Sequence, residues 1–141
     1  MSDLVSQNVN MIFKSPKGET VHALKDISFT LKKGELLTVL GPSGCGKTTL
    51  LNIAAGFLRP TSGSIILGGN EINGPGVERG MVFQQGALFE WLTVSENVNF
   101  GLRMKKEDPV KTAQKVEEWL DIVGLKGFDT PRGTVSTKFL P

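Results

Sequence analysis

Eight residues, "GPSGCGKT" at Gly41–Thr48, have the types and spacing to do chemistry. They fit G-x-x-x-x-G-K-[ST], a loop that grips phosphate. Gly41, Gly44 and Gly46 let the backbone bend until successive N–H groups converge on one anion. A helix opening at that point adds the partial positive charge of its N-terminus. Lys47 brings a mobile point charge to the β- and γ-phosphates. The Thr48 hydroxyl suits Mg²⁺, which bridges the β- and γ-oxygens. Pro42, Ser43, Cys45 and Thr49 complete the expected binding segment. The bland alternative is a glycine turn that only caps a helix. An apolar strand pattern before the loop and a helical run after it favour the phosphate reading. Cys45 is taken as a small loop residue whose N–H matters more than its thiol.

No other constellation competes. His22 is the lone histidine and has no second ligand or nucleophile at useful spacing. Glu117 and Glu118 read as solvated helix charges, and Trp119 as a packing residue.

The elements that must position the loop follow from periodicity. "LVSQNV" at Leu4–Val9 is a weak strand pattern. "ISFTL" alternates Ile27, Phe29 and Leu31 with polar residues, so it predicts a strand with one buried face. "KKGE" at 32–35 predicts a turn. "LLTVL", Leu36–Leu40, is almost wholly apolar, as in a strand covered on both faces. "KTTLLNIAAG" predicts a helix closed by Gly56 as a left-handed cap. "SIILGG" and "MVFQ" at 81–84 predict further strands, the latter short and buried, separated by the loop "NGPGVERG" at 73–80. "TVSE", Thr93–Glu96, is a capping box opening a helix. In "EDPVKTAQKVEEWLDIVG", Asp108 suits the N-cap and Pro109 the first turn. Val110, Ala113, Val116, Leu120 and Val123 are expected on its buried face, and Gly124 ends it. Strands mixed with helices give an α/β fold.

Bulk properties agree with a globular domain. The chain has 141 residues, 39% hydrophobic and 21% charged, so it is neither disordered in composition nor too short for a core. A net charge of +2 without a dense basic run gives no reason to expect nucleic acid. One cysteine excludes an internal disulfide and agrees with a reducing compartment. The opening "MSDLVSQNVN" has no basic segment followed by an apolar stretch, so a secretory signal is not expected. Its longest uncharged stretches hold eleven residues, against about 20 for a membrane span. The expectation is a soluble protein, or one held at a membrane through a partner.

Two longer stretches carry a family resemblance: "LGPSGCGKTTLLNIAAGFLRPTSGSI" and "GPGVERGMVFQQGALFEWLTVSENVNFGL". Together they resemble the ATP-binding subunits of ABC transporters, from about Leu4 to Asp129. Within that family "GPGVERGMVFQ" is similar to the importer branch for nitrate, sulfonates and taurine. The resemblance implies the N-terminal portion of an ABC-type P-loop ATPase domain. Such a portion has an antiparallel β subdomain, a P-loop core and the start of a helical subdomain. It implies ATP and Mg²⁺ as cofactors, with Lys47 and Thr48 in their Walker A roles. Gln84 falls on the glutamine that touches Mg²⁺ and the attacking water. Its amide carries both an acceptor and a donor. Without the resemblance it is an ordinary polar residue leaving a strand.

Phe13 falls where the family places an aromatic ring against adenine. Packing of an amphipathic strand is an equal alternative. Gln85–Leu92 falls on the stretch that faces the membrane permease. Leu88, Phe89, Trp91 and Leu92 would then form an apolar contact, unless they only cover the core. The implied partners are a second copy in a homodimer, the permease, and indirectly a periplasmic or surface substrate-binding protein. The implied location is the cytoplasmic face of the membrane, held peripherally.

The family's signature motif, its Walker B strand and its switch histidine are not found in the sequence after Gly124. The expected division is therefore a partial ATP-binding domain over 1–130 and a tail of foreign sequence over 131–141, from a frameshift or truncation. Hydrolysis by such a chain alone is expected to be near the uncatalysed level. Two readings compete with a defective importer ATPase. One is a regulatory fragment that holds ATP and occupies the permease without turnover. The other is a different phosphate-loop enzyme such as a small-molecule kinase, which leaves "GPGVERGMVFQ" unexplained.

Overall fold

A computed structural model of the chain describes residues 3–16, 18–84, 86 and 88–127. The expected boundary at 130/131 and the tail beyond it lie outside those residues. Two compact units divide the chain after Met81.

The first unit is built on a four-stranded antiparallel sheet in the order β2-β1-β3-β4. Strand β1 is Leu4–Lys14, β2 Thr20–Leu31, β3 Ser62–Leu67 and β4 Asn70–Glu71. β1 and β2 run well past the segments their alternation predicted. The reason is a matched pair of irregularities. Asn8 and Asp26 both take positive φ, 46° and 53°. The Asn8 side-chain amide donates to Asp26 Oδ1 at 2.6 Å, and Asp26 N–H donates to Asn10 Oδ1 at 3.0 Å. Each bulge breaks the period of two that a strand otherwise shows. Short polar side chains are the ones that tolerate that backbone.

Helix α1, Lys47–Ala55, packs on this sheet through Leu50 and Ile53. They join Val9, Met11, Leu24 and Ile65 in the core. Val9 and Ile65 are almost fully buried, each worth about 1.5–3 kcal/mol of burial. Gly56 closes α1 in the left-handed conformation at φ 84°, as the sequence indicated.

Two predicted strands do not form. Leu36–Leu40 is without regular structure, with Leu36 and Leu40 92% and 86% exposed. Residues 81–84 are likewise irregular, and Val82 is 97% exposed. An apolar segment becomes a strand only when a neighbour takes its N–H and C=O groups, and the described residues supply none here. The "KKGE" turn does form, closed by Glu35 N–H on the Lys32 carbonyl at 3.0 Å.

The second unit pairs helix α2, Val94–Met104, with helix α3, Pro109–Ile122. The capping box of Thr93 and Glu96 opens α2, and the Asp108 carboxylate caps α3 at Val110 and Lys111 N–H. The buried face of α3 is Thr112, Val116 and Leu120, packed with Leu102, Val94, Val98 and Leu125. Val110 and Val123 are instead 70% and 63% exposed, and Ala113 is exposed. Thr112 can sit inside because its hydroxyl donates to the Asp108 carbonyl at 2.7 Å, which leaves its methyl to the core. Trp119 is 42% exposed and outside this cluster, against the packing role expected for it. Among the described residues no helix is long and apolar enough to cross a membrane.

Candidate functional site: the glycine loop and the segment after it

The loop Gly41–Gly46 links the irregular Leu36–Leu40 segment to α1. Gly44 and Gly46 have φ of 80° and 97°, left-handed values that favour glycine. Gly46 has a second constraint. A Cβ there would lie 2.4 Å from the Ala23 carbonyl oxygen and 2.9 Å from Leu24 Cδ2. The loop is thus seated directly on β2. At Gly41 a Cβ would meet Cys45 Sγ at 2.6 Å.

Gly46 is also the N-cap of α1, with no side-chain cap and no acidic residue in the first turn. The N–H groups of Lys47, Thr48 and Thr49 have no intrahelical acceptor, because the first helical bond is Leu50 N–H to the Gly46 carbonyl at 2.9 Å. These donors and the helix dipole favour negative charge at this end. Lys47 lies back along the loop. Its Nζ donates to the carbonyls of Gly41 and Pro42, both at 2.7 Å, and to Cys45 Sγ at 3.5 Å. Cys45 and Thr48 are exposed, while Lys47 and Thr49 are half-buried. Bare amides, a glycine seat and a tethered ammonium fit a polyphosphate, and the adjacent Thr48 hydroxyl fits its metal.

Phe13 lies on the same sheet. It pairs with Val21 across β1 and β2, and Val21 is two residues from Ala23, where the loop is seated. Phe13 is 40% exposed and outside the core, so its ring has a free face. His22 pairs with Ile12 and is exposed.

The remaining expected residues belong to the second unit. Gln84 is exposed. Gln85 and Ala87, expected in the permease contact, lie outside the described residues. Leu88 and Trp91 are 70% and 79% exposed, whereas Phe89 and Leu92 are half-buried. The Phe89 ring sits between Trp91 and Phe100, at centroid distances of 5.3 and 4.5 Å. The expected four-residue apolar contact is therefore split, with two side chains outward and two inward.

Sequence reasoning missed the residue that shapes this turn. The Asn97 carboxamide accepts from Phe89 N–H at 2.8 Å. It donates to the carbonyls of Phe89, Leu92 and Thr93 at 3.0–3.2 Å. The available signal was an asparagine one turn inside a helix, where it is a poor helix former without a second use.

The family described as ABC transporter matches residues 24–138. This chain belongs to that family. Over 132 residues it is 87% identical to the taurine import ATP-binding protein TauB of Pelagibacter ubique (strain HTCC1062), covering 93% of this chain and 50% of that relative. It is 60% identical over 128 residues to the TauB of Roseobacter denitrificans (strain ATCC 33942 / OCh 114), covering 91% and 48%. The chain thus spans about half the length of the curated relatives it matches. Among solved structures it is similar to the ATP-binding cassette MJ0796, captured as a dimer after hydrolysis with ADP and phosphate bound. The TM-score is 0.76 at 28% identity, over 92% of this chain and 60% of that one. As an ABC family member the chain carries the α/β fold of the N-terminal part of the cassette, with an antiparallel sheet beside the helix-bearing loop.

Proposed function

We propose that this chain binds Mg²⁺–ATP at Gly41–Thr49 and serves as the nucleotide-gripping part of an importer for taurine or a related sulfonate- or nitrate-type anion. The observation that carries the reading is the uncapped start of α1 beside Lys47 Nζ, in a chain 87% identical to a taurine import ATP-binding protein. When bound, the metal would neutralise charge on the β- and γ-phosphates. The N–H groups of residues 43–49 surround the phosphates, and Lys47 exchanges its carbonyl partners for phosphate oxygens. Thr48 and Gln84 would hold the metal, and Gln84 would also orient the attacking water. Phe13 offers its free face to the base.

Leu88 and Trp91 support a docking role toward a permease, with Gln85–Leu92 as the contact and the chain peripheral at the cytoplasmic membrane face. A second copy of the cassette is the proposed partner for hydrolysis, and a substrate-binding protein outside the membrane selects the anion. Residues 1–130 are proposed as the partial cassette and 131–141 as its non-family tail. A second reading rests on the same exposed Leu88 and Trp91: the chain occupies the permease and holds ATP without turnover. Co-purification with a permease, with and without ATP, alongside phosphate release, tests both. Release above background supports the ATPase reading, and retention without release supports the regulatory one. Neither retention nor nucleotide binding would contradict both.

A further inference from the structure

Helices α2 and α3 leave a groove open between them. A cavity of about 560 Å³ is lined there by Ser95 and Asn99 of α2, by Val116 and Leu120 of α3, and by Lys126 and Gly127. Val116 and Leu120 give it an apolar wall and are themselves only 4% and 6% exposed. Asn99 differs from Asn97 on the same helix. The Asn97 carboxamide is fully used, whereas Asn99 Oδ1 is buried with no hydrogen-bond partner among the described residues. A buried acceptor without a donor costs free energy and calls for a partner.

The backbone is steered toward this groove. Gly124 N–H bonds to the Asp121 carbonyl at 3.0 Å and Leu125 N–H to the Leu120 carbonyl at 2.8 Å, which turns the chain back over the end of α3. Leu125 then packs against the cluster of Leu102, Val116 and Leu120. Gly127 takes a left-handed φ of 83° and lines the groove. Phe128, Asp129, Thr130 and Pro131 come next in the sequence. A proline biases the residue before it toward extended backbone. Val116 and Leu120 lie about 6 Å apart along α3. Roughly two residues of extended chain span that distance.

We propose that residues 128–130 fill the groove as an intramolecular strap. The Phe128 ring covers Val116 and Leu120, and the Thr130 hydroxyl donates to Asn99 Oδ1. The groove asks for an aromatic side chain and a short hydroxyl close to one another, and the chain supplies both as it leaves Gly127. Tethering gives that segment a high effective concentration at the groove, against which a separate partner must compete. The proposal does not depend on the nucleotide reading.

The test is Phe128→p-benzoylphenylalanine in the whole chain, irradiated in dilute solution. Cross-links at monomer mass are expected to peptides that hold Asn99, or Val116 and Leu120. Cross-links found only in covalent dimers would put a second copy in the groove and overturn the proposal. Cross-links confined to other segments, or absent, would overturn it too. Amide hydrogen exchange gives an independent reading. Phe128→Ala should speed exchange across 116–120 about fivefold, and Phe128→Leu, which keeps an apolar body, should recover most of the protection. Thr130→Val should speed exchange about threefold, and adding Asn99→Ala to it should change the rate little further. Unchanged exchange in Phe128→Ala, or additive effects of Thr130→Val and Asn99→Ala, would contradict the strap.

Discussion

The ammonium of Lys47 lies 2.7 Å from the carbonyl oxygen of Gly41, six residues earlier in the chain. With the Pro42 carbonyl and the Cys45 sulfur, this contact uses the three donors of the lysine on its own loop. The ammonium is thereby folded back along the loop, and a phosphate would have to replace these partners.

The seat of the loop is the first place to test. Gly46→Ala forces a Cβ into the Ala23 carbonyl and keeps a left-handed backbone that alanine resists. We expect a loss of about 2 kcal/mol or more in a urea melt, together with loss of ATP binding. Gly44→Ala has the same backbone problem but no atom within 4 Å, so it should cost about 1–2 kcal/mol. Equal melts for the two variants would contradict the seating on β2.

The start of α2 gives a pH-dependent prediction. Hydrogen bonds from the Thr93 backbone and then its side chain hold Glu96 below its ordinary value of 4.5. A carboxyl lowered on folding contributes stability above that ordinary value, and the contribution is lost as pH falls through the lower folded value. Thr93→Ala keeps the backbone donor and should cost about 1 kcal/mol near neutrality, whereas Glu96→Gln removes the titrating carboxylate and should flatten the acid limb of the helix signal in circular dichroism. Glu107 is also lowered, chiefly by its hydrogen bond from Lys115, so a smaller acid dependence should persist. An unchanged acid limb would contradict the capping role.

Asn97→Ala removes four hydrogen bonds from the Phe89–Thr93 turn. The Phe89–Trp91 contact should loosen, and Trp91 emission, read in a Trp119→Phe background, should change. Global stability should fall by about 1 kcal/mol or more, since half-buried carbonyls lose their donors. An unaltered Trp91 signal would show that the turn is held by something else.

How far the sequence could be read depends on whether an element is defined locally. The glycine loop, the Gly56 cap and both helix starts are set by residues within a few positions of one another, and all four form where their residues indicated. The long β1–β2 pair was only half legible, because the Asn8 and Asp26 bulges interrupt a period that a linear scan relies on. Leu36–Leu40 shows the opposite failure. Its composition is that of a covered strand, but pairing is a property of neighbours, and no described strand pairs with it. Asn97 was hard to read for a related reason. It acts on the backbone of a folded turn, and its one signal is an asparagine one turn inside a helix.

The exposed apolar residues of that unpaired segment have a consequence in solution. Leu36 and Leu40 leave apolar surface in water, in a segment that no described strand pairs, a template for association. Light scattering should show a mass that rises with concentration. Leu36→Lys should reduce that rise and shift the melt by less than about 0.5 kcal/mol. A monomeric mass at all concentrations in the unaltered chain would contradict this.

The most direct measurement is an equilibrium titration of the chain with Mg²⁺–ATP, alongside Lys47→Ala. The unaltered chain should saturate below millimolar nucleotide, and Lys47→Ala should weaken binding about tenfold or more, since a charge-assisted contact to phosphate is worth about 1.5–3 kcal/mol. No saturation at millimolar nucleotide, or equal affinity for the two proteins, would contradict the account.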